Sequence, residues 1–171
     1  PDHGSLKALA SMALDNFSQA SRSGSVLGLV QPINPKDAVR TRDLTLNEDV
    51  DEFGRLRQTL GTNVQTGSFE GRPFFGLGYE DPVTESPRVG DVEIWRIFNL
   101  TADTHPIHFH LVNVQVLSRQ PFDVGSYNGT PVFTGPTRKP DLNESGFKET
   151  VRMNPGECTT VIMKFELPST P

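Results

Sequence analysis

Sulfur chemistry is nearly missing from this chain. Its 171 residues include a single cysteine, Cys158, which excludes an internal disulfide and any Cys-x-x-Cys zinc site. Long apolar runs are missing as well: nothing approaches the roughly 20 consecutive apolar residues that a membrane helix needs. With 35% hydrophobic residues and a mean hydropathy of −0.39, a soluble chain without a membrane span is expected. Positive charge does not cluster. Sixteen Lys and Arg stand against 21 Asp and Glu, a net charge of −5, without the basic patch of a nucleic-acid surface, so no nucleic-acid partner is expected. The chain opens Pro1-Asp2-His3-Gly4, with neither a Met nor a signal peptide. A mature, processed or excised segment is expected, and its start says nothing of location. Four Asn-x-Ser/Thr sequons, at Asn16, Asn99, Asn128 and Asn143, matter only in a eukaryotic secretory context, and chance explains them more simply.

What is plentiful is turn chemistry between short β-rich runs. The 15 Gly and 14 Pro suit a β protein with many connections. Residues 1–40 are the least regular: Leu6, Leu9, Ala10, Ala13, Leu14 and Phe17 stand at helical spacing, and a Ser/Gly/Arg-rich loop follows. From Thr41 the period becomes two. Asp91 to Asn99 is rich in β-branched and aromatic residues and reads as a strand. So do Phe147 to Met153 and the alternating run from Thr159 to Leu167, on either side of an Asn154-Pro155-Gly156-Glu157 turn. A long polar insert spans Gly125 to Gly146. Six to eight short strands with turns between them predict an all-β sandwich or barrel. Val92, Ile94, Phe98, Val112, Val114, Val116, Val161, Met163 and Phe165 are its expected core. Met153 and Met163 belong to strand patterns, and His3 reads as tail.

Three of the four histidines fall within six positions, in Thr104-His105-Pro106-Ile107-His108-Phe109-His110. A β-rich run from Leu111 to Leu117 follows without Gly or Pro. Alternate side chains of a strand share a face, so His108 and His110 should point the same way with Cα atoms about 6.5 Å apart. That spacing serves one metal ion or two adjacent ones. His105 lies at an odd offset behind a proline that bars a regular ladder, so it should look toward a different centre. A bare His-x-His is often accidental, but the whole cluster at a strand entrance is more specific.

His105-Pro106-Ile107-His108-Phe109-His110 resembles the first copper-binding motif of the C-terminal cupredoxin domain in multicopper oxidases. The flanks, Asp81 to Gly90 with Glu93-Ile94-Trp95, and Leu117 to Asp123, are similar to the bacterial laccase branch with its bilirubin oxidase and phenoxazinone synthase relatives. The resemblance is close from about residue 45 to residue 165. It implies a Greek-key cupredoxin barrel at 41–171, incomplete at its C-terminal side, with 1–40 as an irregular interdomain connector or leading segment. It also implies copper as cofactor, with His105 a type 1 ligand, His108 a type 2 ligand and His110 a type 3 ligand. The activity implied is one-electron oxidation of phenols, aromatic amines or metal ions, with dioxygen reduced to water. Location follows only from the family, as extracytoplasmic, secreted or spore-coat.

One departure bears on activity. The family's His-Cys-His segment should follow the strand near Leu167, whereas the chain ends at Pro171. The remaining ligands are therefore expected from other cupredoxin domains or another segment of the same oxidase, and the isolated chain is expected to be inactive. Cys158 has no neighbouring histidine and stands at an ordinary strand position of the family, so it reads as a structural thiol. Two other readings are a non-enzymatic β-barrel module with a weak three-His site, and a cupin. A cupin would place a Glu shortly after its His-x-His and a further His downstream, and positions 111 to 117 offer neither.

Overall fold

The computed structural model describes residues 31–166. The amphipathic spacing at Leu6 to Phe17 and the end of the run at Leu167 lie outside them. The chain enters through a 3-10 turn at Pro35–Asp37, where Asn34 Oδ1 accepts from the Lys36 amide and proline occupies the first turn. That proline's missing N–H costs nothing there.

Ten strands follow: β1 Arg40–Val50, β2 Leu56–Thr62, β3 Gly67–Phe69, β4 Arg72–Phe74, β5 Val92–Asn99, β6 His105–His108, β7 Val114–Pro121, β8 Phe147–Lys148, β9 Thr150–Met153 and β10 Glu157–Lys164. Six make one curled sheet in the order β2-β1-β5-β10-β7-β8, while β3-β4 and β6-β9 form two separate pairs. All pairings are antiparallel except β1 with β5, where Leu44 stands beside Ile97 and Leu46 beside Asn99. The architecture is the expected all-β, cupredoxin-like half-barrel.

The large sheet is packed on both faces. On one, Leu46, Ile97, Val114, Val116, Val161 and Met163 meet Phe109, Val112, Val151 and Met153, with Ile107, Leu44 and Trp95 half-buried at the margin. On the other, Phe98 and Cys158 pack with Phe75, Phe122 and Tyr127, their rings at 5.1–5.7 Å between centroids in the edge-on and tilted geometries aromatic pairs favour. The two-sided cover explains why β10 loses its expected alternation. It sits between β5 and β7, and Cys158, Thr159, Val161, Ile162 and Met163 are all buried. Of the nine expected core residues, eight are buried and Ile94 is half-buried.

One expectation changes in detail, and two stretches gain a physical account. Phe147 to Met153 is two strands, β8 and β9, separated at Glu149. The insert from Gly125 to Gly146 is tied to the sheet: Phe133 and Arg138 bridge to Phe122 and Arg119. The Arg119 guanidinium holds the Glu144 carboxylate and donates to the Arg152 carbonyl at 2.9 Å. The Asn99 sequon is buried, its amide donating to the Asp103 and Met153 carbonyls at 2.7 and 3.0 Å.

One close backbone approach fixes how β2 meets the Phe75 loop. A Cβ at Gly61 would stand 1.8 Å from the Phe75 carbonyl oxygen. Gly61→Ala must push the two segments apart, and it is expected to cost at least the roughly 1–3 kcal/mol of an overpacked site. A urea unfolding midpoint unchanged from the parent chain would contradict this contact.

Candidate metal centre

β6 carries the histidine cluster into the fold. Its four residues alternate, with His105 and Ile107 half-buried and Pro106 and His108 exposed. The strand runs antiparallel to β9, His105 opposite Met153 and His108 opposite Thr150. Period two therefore divides the histidines as expected, because Ile107 inserts into the core and holds His105 inward and His108 outward.

The expectation for His110 needs correction. β6 ends at His108, and His110 lies in a bend rather than on a strand. The β-rich run after it does not start at Leu111, which takes a left-handed φ of 71° and turns the chain, so β7 begins only at Val114. Burial of Phe109 and Val112 at this corner, where no ladder continues, accounts for the turn. His108 and His110 nonetheless flank buried Phe109 and are both exposed, with ring centroids 4.9 Å apart at an interplanar angle of 68°. His105 lines a separate cavity of about 260 Å³ between β1, β2 and β6, with Leu46, Asn47, Gln58, Thr59 and Leu60. Among the described residues no cluster of three or more His, Cys, Asp or Glu is arranged to hold a metal.

The hydrogen bonds decide which ring nitrogen each histidine offers. His105 Nε2 lies 2.7 Å from Thr101 Oγ1 and 3.3 Å from Glu48 Oε1. The Thr101 hydroxyl is already committed as a donor to Asn99 Oδ1, and the nearby carboxylate cannot donate, so Nε2 carries the proton and Nδ1 keeps the lone pair. That hydroxyl donates at 2.8 Å and is left to accept from the imidazole. His108 is locked the other way. Its Nδ1 faces the Glu149 carbonyl at 3.0 Å and Thr150 Oγ1 at 3.1 Å. A carbonyl also only accepts, so Nδ1–H donates and Nε2 keeps the lone pair. Fixing a tautomer through the far nitrogen is how metal-binding imidazoles are oriented. Neutral imidazoles suit copper, zinc, iron and nickel.

Cys158, Met153 and Met163 take no part. Cys158 is buried against Phe98 and Tyr127 on the opposite face of the sheet, and burial pushes its thiol up to about 12, so it stays protonated and inert. Met153 and Met163 are core, as expected. Sequence reasoning missed Glu48, Thr101 and Thr150. Thr101, four residues before His105, was the one with a local signal.

Three comparisons bear on this geometry. A multicopper oxidase family model matches residues 55–170. A laccase of Bacillus stratosphericus is 40% identical over 136 residues, covering 78% of this chain and 24% of the relative. A laccase of Bacillus subtilis (strain 168) is 45% identical over 100 residues, covering 56% and 20%. The chain thus spans about a quarter or less of the length of these relatives. The crystallised multicopper oxidase from Campylobacter jejuni superposes with a TM-score of 0.52 at 17% identity, over 80% of this chain and 26% of that one. That likeness concerns the fold alone. The cupin reading finds no support among these matches.

Proposed function

The chain belongs to the multicopper oxidase family, whose metal is copper, and from that premise we propose that residues 41–171 are most of its third, C-terminal cupredoxin domain. Residues 1–40 are then the lead-in from a preceding domain. His105 is a ligand of the type 1 (blue) copper, His108 of the type 2 copper and His110 of a type 3 copper. Copper so held supplies one-electron oxidation of phenols, aromatic amines or metal ions, coupled to reduction of dioxygen to water.

The observation that carries this reading is the pair of opposed tautomers. Within one four-residue strand His105 keeps Nδ1 for a metal on the buried side, and His108 keeps Nε2 on the exposed side, with His110 beside it. One segment therefore addresses two centres, and these donors fit copper. The set needs completing by other polypeptide, because the chain's only cysteine is buried on the far face of the sheet. Among the described residues β6 pairs only with β9. An unpaired strand edge of this kind accepts an added strand. The partners in this reading are the remaining cupredoxin domains or another segment of the same oxidase, together with dioxygen and a small aromatic or metal-ion reductant.

In the copper-loaded oxidase that contains this chain, His105→Ala should abolish the intense blue thiolate band while the type 2 electron paramagnetic resonance signal persists. A retained blue band would refute the assignment. The chain by itself, given Cu(II), should show no intense blue absorption, and Cys158→Ser should leave its spectrum unchanged. A strong blue band that disappears in that variant would show that Cys158 had been misjudged.

A further inference from the structure

The Glu48 carboxylate reaches His105 from a strand far away in sequence. It stands on β1, opposite Gln58 of β2, and its Oε1 lies 3.3 Å from both His105 Nε2 and Gln58 Nε2. Glu48 is largely covered, at 17% side-chain exposure against 12% for His105. The contact thus lies where solvent screens it less than at an open surface. Thr101 Oγ1, at 2.7 Å, is the hydrogen-bond partner of that nitrogen, and buried Asn99 anchors Thr101 through its amide N at 2.9 Å and its hydroxyl at 2.8 Å. A row of five side chains, Gln58, Glu48, His105, Thr101 and Asn99, therefore runs through one imidazole nitrogen, which Thr101 and Glu48 approach directly.

We propose that Glu48 is a positioning residue that holds His105 in its Nε2–H tautomer and lowers the reduction potential of the metal bound at Nδ1. The proposal rests on the reading of His105 as a blue-copper ligand. A carboxylate within 3.3 Å of the far nitrogen favours the proton there and makes the near nitrogen a stronger donor. A stronger donor with a negative charge behind it stabilises Cu(II) over Cu(I). Thr101 alone would fix the tautomer without adding charge, so the carboxylate's own contribution is to the potential.

Two measurements test this. In the chain itself, long-range proton–nitrogen correlation spectra should show neutral His105 protonated at Nε2. Protonation at Nδ1 would overturn the inference whatever the copper content. In the copper-loaded oxidase, Glu48→Gln keeps an acceptor but loses the charge. The Cu(II)/Cu(I) equilibrium should shift about tenfold toward Cu(I), an upward move of about 59 mV for a one-electron couple, with the blue band intact. Glu48→Asp should recover part of that shift. An unchanged potential in Glu48→Gln with the band intact would overturn the inference and leave the ligand assignment standing. A blue band that survives His105→Ala would overturn the assignment, and the inference with it.

Discussion

Arg42→Ala is expected to lower stability by about 3–5 kcal/mol, the cost of leaving a buried charge without its partner. Glu93 is 1% exposed and Arg42 11%. The guanidinium grips the carboxylate with two bonds, Nε to Oε2 at 2.6 Å and Nη2 to Oε1 at 2.8 Å. Trp95 Nε1 adds a third at 2.8 Å. Burial pushes the Glu93 carboxyl up, but the bonds from Arg42 and Trp95 together with the Arg42 charge outweigh it and hold the group below its ordinary value of 4.5. A depressed carboxylate stabilises the fold above the unfolded pKa, and that contribution disappears as pH falls through the folded value. In the parent chain, stability should therefore fall below about pH 4.5 as Glu93 takes up a proton. In Arg42→Ala burial is opposed far less, the folded pKa rises, and the deficit should shrink on acidification. Thermal unfolding at pH 7 should fall by on the order of 10 °C for a chain of this size. Arg42→Met with Glu93→Leu should recover most of it, since an apolar pair of similar volume often replaces a buried ion pair at no net cost. A single Arg42→Ala within 1 °C of the parent would show that the pair contributes nothing.

That ion pair also marks where the sequence stops being readable. Glu93 stands in Val92-Glu93-Ile94-Trp95, where alternation predicts a solvent-facing carboxylate, and a single sequence has no signal that Arg42, 51 positions earlier, neutralises it. The same limit hid the parallel β1–β5 pairing, which joins strands about 50 residues apart, and with it the contact of Glu48 to His105. Short-range features were legible. The β5 and β10 runs, the turn at Gly156 with its φ of 64°, and the different sides taken by His108 and His105 all follow from local pattern. Strand limits were less so. Leu111 has strong β neighbours, yet burial of Phe109 and Val112 at a corner turns the chain there. Tertiary packing outweighs β propensity at such positions.

His108→Ala is expected to leave the fold almost untouched and to stop dioxygen reduction in the copper-loaded oxidase. The side chain is exposed at the end of β6, so its loss opens no cavity and should change stability by no more than about 0.5 kcal/mol. The ladder to β9 uses backbone groups, which alanine retains. The imidazole is another matter, because it sits 4.9 Å from His110 with its Nε2 lone pair left free by the bonds from Nδ1 to the Glu149 carbonyl and Thr150. Disturbing an outer partner of a metal ligand costs about 10–100-fold in affinity or activity. Removing the proposed ligand itself should exceed the upper end of that range. Thr150→Val supplies the comparison: it deletes the 3.1 Å contact but keeps the 3.0 Å carbonyl contact, so its loss should stay within that range. Oxygen uptake with a saturating reductant, copper content and the two paramagnetic signals separate the cases. His108→Ala should keep the blue band, lose the type 2 signal and consume oxygen more than 100-fold more slowly than the parent. Uptake within tenfold of the parent, with a full complement of copper, would mean that His108 is not a ligand.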